Sequence, residues 1–152
     1  MNVLPSHASR VFLVRLSKGE SLVESLATLA REQRLGAATV VGHGVLQAIT
    51  VEGYDPRARG YSDARAFAGS LTLDALTGSV LQGPGDVIVH LHAAFSRATD
   101  NGVEALGGHV VDAQVVAVDV TVFAHDDVRM TLQVDGATGL HAWRGDVVRA
   151  AP

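Results

Sequence analysis

Apolar and polar positions alternate along most of this chain, and the alternation is broken once by a helical period. Residues 10–16 set Phe12, Val14 and Leu16 on one parity and Val11 and Leu13 on the other, which predicts a short strand with most of its surface covered. The period then lengthens. Leu22, Leu26, Leu29 and Ala30 recur at three- and four-residue intervals, one face of an amphipathic helix. Ser21 and Glu24 precede that face in the S-x-x-E arrangement, in which hydroxyl and carboxylate satisfy orphan backbone donors. Gly36 is placed to end the helix or the turn after it. Such a helix covers one face of a sheet.

From residue 37 to residue 54 the chain is small and β-branched, interrupted by Gly42, His43 and Gly44, so two extended pieces joined by a bulge or turn are expected. Residues 54–65, with Pro56 and Gly60, read as an exposed loop. Residues 67–81 and 86–95 are strands separated by the turn Gly83, Pro84, Gly85, and residues 96–106 read as a polar connector. Residues 110–123 form the longest strand, with valines on both parities, so both faces should be covered by the helix or by other subunits. Asp126 and Asp127 turn the chain, and residues 128–134 return as its hairpin partner. The order β, α, then mostly β predicts an α+β fold, an antiparallel-rich β-sheet with one main amphipathic helix, as one domain over residues 1–152.

Composition narrows the chemistry. The chain has no cysteine, which removes disulfide scaffolds, thiolate metal sites and cysteine nucleophiles together; a metal would have to be held by nitrogen and oxygen. Its apolar fraction of 47% is that of a globular domain. No apolar run approaches the ~18 residues of a membrane span, and residues 1–9 lack the pattern of a signal peptide, so a cytoplasmic protein without membrane contact is expected. Twelve basic and sixteen acidic residues give a formal charge of −4, the wrong sign for a protein that displaces counterions from phosphates. Arg57, Arg59 and Arg65 share one loop, but Asp55 and Asp63 lie among them, the composition of a solvated loop.

Three histidines stand out against this background. His90 and His92 are two residues apart in a predicted strand, so both project from one face. His109 follows Gly107 and Gly108, whose missing side chains let the backbone turn tightly or approach closely. Three neutral imidazoles offer a divalent ion three nitrogens and leave a fourth position open, the arrangement of water-binding or catalytic zinc. Spacing alone leaves two readings standing: a metal site, with zinc first and nickel or iron as substitutes, or a metal-free polar cleft. Glu104, in the connector before His109, is a candidate general base beside a metal-bound water, against the simpler reading of a solvated loop carboxylate. His43 is a candidate extra ligand or acid/base group on the same terms. His7, His125 and His141 carry no partner pattern. No phosphate-loop or nucleophile-elbow motif occurs.

The helix followed by ATVVGHGVL at residues 38–46, GSLTLDALTG at residues 69–78, H-x-H at His90 and His92, and G-G-H ending at His109 resemble, in that order, the plants-and-prokaryotes conserved (PPC) domain over roughly residues 10–134. The resemblance implies an α+β homotrimer. It also implies zinc on the three histidines, as in some prokaryotic members; the open position of such a site, with the charge balance, favours a metal-dependent enzyme or small-molecule binder. Plant members attach AT-hook peptides that enter the DNA minor groove, and prokaryotic members carry a DNA-binding or regulatory label by that analogy. This sequence has no R-G-R-P stretch to supply minor-groove arginines. It also places His43 where the family usually has an apolar residue. A cupin also uses H-x-H but adds a nearby Glu; Ser96 and Arg97 occupy that stretch, and the early helix does not suit an all-β barrel.

Overall fold

The computed structural model describes residues 3–148. Strand β1, Arg10–Ser17, is followed by helix α1, Leu22–Glu32, and then by strands only: β2, Ala38–Glu52; β3, Tyr54–Asp55; β4, Gly60–Tyr61; β5, Arg65–Gln82; β6, Val87–Thr99; β7, Gly102–Ala124; β8, Val128–Val134; and β9, His141–Val147. Four long strands close on one another. β2 pairs with β5, β5 with β6, β6 with β7, and β7 with β2, all antiparallel. β7 is long enough to serve two partners along one edge: residues 102–109 pair with β6, and residues 117–124 pair with β1. The predicted α+β class, rich in antiparallel strands with one helix, is what the described residues form.

Helix α1 begins at Ser21, whose side-chain oxygen accepts from the Glu24 backbone N–H at 3.2 Å. Only half of the predicted capping box forms, because the Glu24 carboxylate accepts instead from Arg31 Nη1 at 2.9 Å; an ion pair one helical face away wins over the backbone donor. The helix ends before Gly36. Leu35 N–H donates to Ala30 O and Arg34 N–H to Arg31 O, a Schellman closure in which Arg34, at φ +54°, takes the left-handed position that glycine usually fills. Leu22, Leu26 and Ala30 are buried against β6 and β7, and each buried leucine contributes roughly 1.5–3 kcal/mol of transfer free energy. The core continues through Val40, Leu46, Leu71, Leu76, Leu91, Phe95, Val115 and Val122.

Several expectations change. Residues 96–106 are not a connector: β6 runs on to Thr99 and β7 starts at Gly102 in unbroken register, so the polar stretch is a hairpin with exposed faces. Residues 54–65 contain the paired strands β3 and β4. β8 does not return along β7. It pairs with β9 and meets β5 in parallel at Gln82 and Thr131. β7 buries only one face within the chain, since Val111 and Val116 remain exposed between buried Val110, Val115 and Val118. The GHG segment is a bulge in one continuous strand: register with β5 slips between Gly42 and Gly44. Gly44, at φ +153°, lies against Ala117 O and Val118 of β7, where a Cβ would collide. Among the described residues no helix is long and apolar enough to cross a membrane.

Candidate metal centre

The pleat of β6 explains the first two histidines. Leu91, Ala93 and Phe95 point into the core, so His90 and His92 face outward from the closed sheet, His90 half-buried and His92 exposed. β7 brings the third. His109 is the cross-strand partner of His92 on one side and of Glu52 at the end of β2 on the other. Gly107 and Gly108 do not turn; they lie within the ladder. A Cβ on Gly107 would stand 2.7 Å from Ala93 O and one on Gly108 2.7 Å from Glu52 O, so the absent side chains let β7 sit tightly between β6 and β2.

The three rings converge. His90 Nε2 and His92 Nε2 are 3.2 Å apart, and one ligand nitrogen from each of His90, His92 and His109 lies within 4.8 Å of the others. Ring centroids are separated by 4.8 Å for His90 and His109 and by 5.4 Å for His92 and His109. Nδ1 of His109 is buried. Nitrogens bound tetrahedrally at about 2.0–2.1 Å are about 3.3 Å apart, and the His90–His92 Nε2 pair at 3.2 Å has that separation.

A cleft of about 410 Å³ surrounds the triad, lined also by Glu52, Gly53, Tyr54, Tyr61 and Leu140. Tyr61 stacks on His109 with centroids 4.6 Å apart and planes 28° from parallel. Burial, and secondarily the nearby Glu52 carboxylate, pushes the Tyr61 phenol above its ordinary pKa, so it stays protonated, a hydrogen-bond donor, at neutral pH. Glu52 and Tyr61 are the residues that sequence reasoning missed. No spacing rule connects them to the histidines, because Glu52 arrives through β2–β7 register and Tyr61 through a two-residue strand.

The other candidates lie elsewhere. Glu104 sits five residues along a regular ladder from His109, hence on the opposite sheet face, and its carboxylate accepts from Arg97 Nε at 2.6 Å. His43 is opposite Asp119 and lines a separate groove of about 680 Å³ with Leu13, Val41, Leu76 and Val120. His125 lies between Ser6 Oγ and Thr39 Oγ1, each at 3.1 Å, and His7 contacts Asp127. The His141 side chain lies outside the described residues.

These features define a class: a small domain whose strands close around a core and which carries an outward-facing histidine triad beside a cleft. The chain belongs to the Plants and Prokaryotes Conserved (PCC) domain family, whose model matches residues 5–126. Similar solved structures include a metal-containing protein from Archaeoglobus fulgidus, 25% identical, covering 95% of this chain and 99% of its own, with a TM-score of 0.86. A plant- and prokaryote-conserved protein from Pyrococcus horikoshii is 22% identical, covers 95% of this chain and 97% of its own, and has a TM-score of 0.82. A "Putative DNA-binding protein" from Ralstonia eutropha JMP134 is 23% identical, covers 87% and 89%, and has a TM-score of 0.77. No curated protein matches the chain at a significant level.

Proposed function

We propose that this protein is a trimeric, cytoplasmic, metal-binding member of its family, in which His90, His92 and His109 hold one zinc-like divalent ion beside a cleft for a small molecule. The observation that carries the reading is the convergence of three imidazole nitrogens within 4.8 Å on an outward sheet face. An all-nitrogen donor set fits zinc first, then nickel or iron. The metal-containing relative from Archaeoglobus fulgidus supports it. When bound, such an ion supplies Lewis acidity and an acidified water at its open position. The chain's own contribution is to line the cleft of about 410 Å³ beside the triad with a carboxylate acceptor, Glu52, and a phenol donor, Tyr61. That pairing suits a small polar ligand, bound or turned over. Catalytic work, if present, falls to Glu52 rather than Glu104, whose ion pair with Arg97 occupies it on the other face.

Metal binding to the folded state alone stabilises it in proportion to the logarithm of free metal. At a hundredfold excess over Kd that is about 2.7 kcal/mol, or roughly 5–10 °C in Tm for a domain of this size. Thermal unfolding of chelator-treated protein, repeated with added zinc, should show this rise; an unchanged midpoint leaves the triad a hydrogen-bonded polar cleft. The regulatory reading draws on the relative named for DNA binding. A formal charge of −4 opposes it, and it requires a specific complex that survives ~150 mM salt.

A further inference from the structure

His109 stands on the outward face of β7 as the cross-strand partner of His92. The preceding residue on the same sheet face is Gly107, which has no side chain. His χ2 is a broad, soft torsion, so a side chain stacked on the ring helps to set its orientation. Tyr61 stacks on it, with centroids 4.6 Å apart and planes 28° from parallel.

We infer that Tyr61 is a positioning residue: carried on the β3–β4 hairpin, it clamps the His109 ring so that the third nitrogen is held in place before a metal arrives. The hairpin is braced for this. At its base Ser62 N–H donates to Gly53 O at 2.7 Å and Gly53 N–H donates to Ser62 Oγ at 3.0 Å. Tyr54 meets Tyr61 edge to face, centroids 6.5 Å apart at 78°, and its hydroxyl donates to Thr138 O at 2.7 Å. The loop that receives it is itself fixed, since Asp135 Oδ1 accepts from the backbone N–H groups of Ala137 and Thr138, each at 2.9 Å. Gly139, at φ +73°, lies against Arg59 O, where a Cβ would collide. A chain of contacts thus runs from the loop before β9 through Tyr54 and Tyr61 to His109. Outer-sphere groups that orient a ligand in this way typically account for 10–100-fold in metal affinity.

The inference rests on the metal reading, and two measurements separate them. In metal-free protein, the His109 ring protons should be shifted upfield by the Tyr61 ring; the shift should persist in Tyr61→Phe and vanish in Tyr61→Leu, which keeps apolar bulk without a planar face. With cobalt(II) as probe, Tyr61→Phe should bind within about twofold of the parent, while Tyr61→Leu binds 10–100-fold more weakly with an altered visible absorption spectrum. Metal-free melting curves of both variants should match the parent, and a smaller change, Tyr54→Phe, which loosens the hairpin without touching His109, should weaken cobalt binding less than Tyr61→Leu does. Equal cobalt affinity and spectrum in Tyr61→Leu and parent would overturn the inference, as would a loss in Tyr61→Phe as large as in Tyr61→Leu. A parent that binds no cobalt yet shows the ring shift would contradict the metal reading while leaving the ring contact itself standing.

Discussion

At the scale of single residues, the convergence of the three histidines was legible because H-x-H forces two imidazoles onto one strand face, and the G-G pair marks a close approach. The other residues of the cleft were not. Glu52 precedes a glycine and looks like any strand-end carboxylate until cross-strand register sets it opposite His109. Glu104 misled for the converse reason: nearness in sequence to His109 meant little on a strand, where five residues span about 17 Å and reverse the face. An ion pair ties the start of β1 to the turn after β7. Arg10 Nη2 meets Asp126 Oδ1 at 2.7 Å, and that hydrogen bond, with help from Ser9, holds the Asp126 carboxyl at a pKa of about 2. A depressed carboxyl pKa stabilises the fold above the unfolded value of about 3.9 and ceases to do so as pH falls toward the folded value. Because the pair is exposed, solvent screening limits it to under about 1 kcal/mol. Asp126→Asn should therefore lower stability slightly at pH 7 in denaturant titrations, and the difference should close near pH 2.

The elements show why alternation was a good guide to strands and a poor one to their ends. Every long strand was found, as was the helix, because each buries a periodic face. Residues 96–106 were missed as strand because there both faces are partly exposed and the pairing Arg97–Glu104 is polar. β8 was given the wrong partner, since sequence order favours a hairpin but β9, hidden in residues of mixed polarity, competes for it. The tight seat of β7 supplies an element-scale prediction. Gly108→Ala puts a methyl group 2.7 Å from Glu52 O, so β7 must shift away from β2. Overpacking of this kind costs about 1–3 kcal/mol. Metal affinity should fall with stability, whereas Gly85→Ala, in the β5–β6 turn with open space around it, should leave metal affinity intact; calorimetric titration of both variants checks the contrast.

On the whole-molecule scale, the apolar surface that remains points to assembly. β1 is an edge strand that pairs with β7 alone, and Leu13 on it is 84% exposed, beside Val11 at 54%. Leu13 borders a groove of about 680 Å³ whose walls include Val41 and Leu76. An unprotected edge with exposed apolar residues is a liability in a monomer and a ready contact in a symmetric oligomer. Val118 would be a poor probe of this, being 1% exposed in the core of the single chain, where a charge would unfold the domain instead. Leu13→Lys is the cleaner change. Light scattering should give about three times the 15.8 kDa chain mass for the parent and a smaller mass for the variant, with the helix and sheet signals of both unchanged; a parent at the single-chain mass would leave the exposed strand to another partner.

Metal content measures most directly whether the triad holds an ion. Elemental analysis of protein purified without a histidine tag should find about one zinc or similar ion per chain. In His92→Ala that content should drop by most of its value while the fold persists, because the His92 side chain faces outward from the sheet. Metal-free parent protein that also fails to take up zinc on dialysis, or a His92→Ala variant as rich in metal as the parent, would contradict the three-histidine centre.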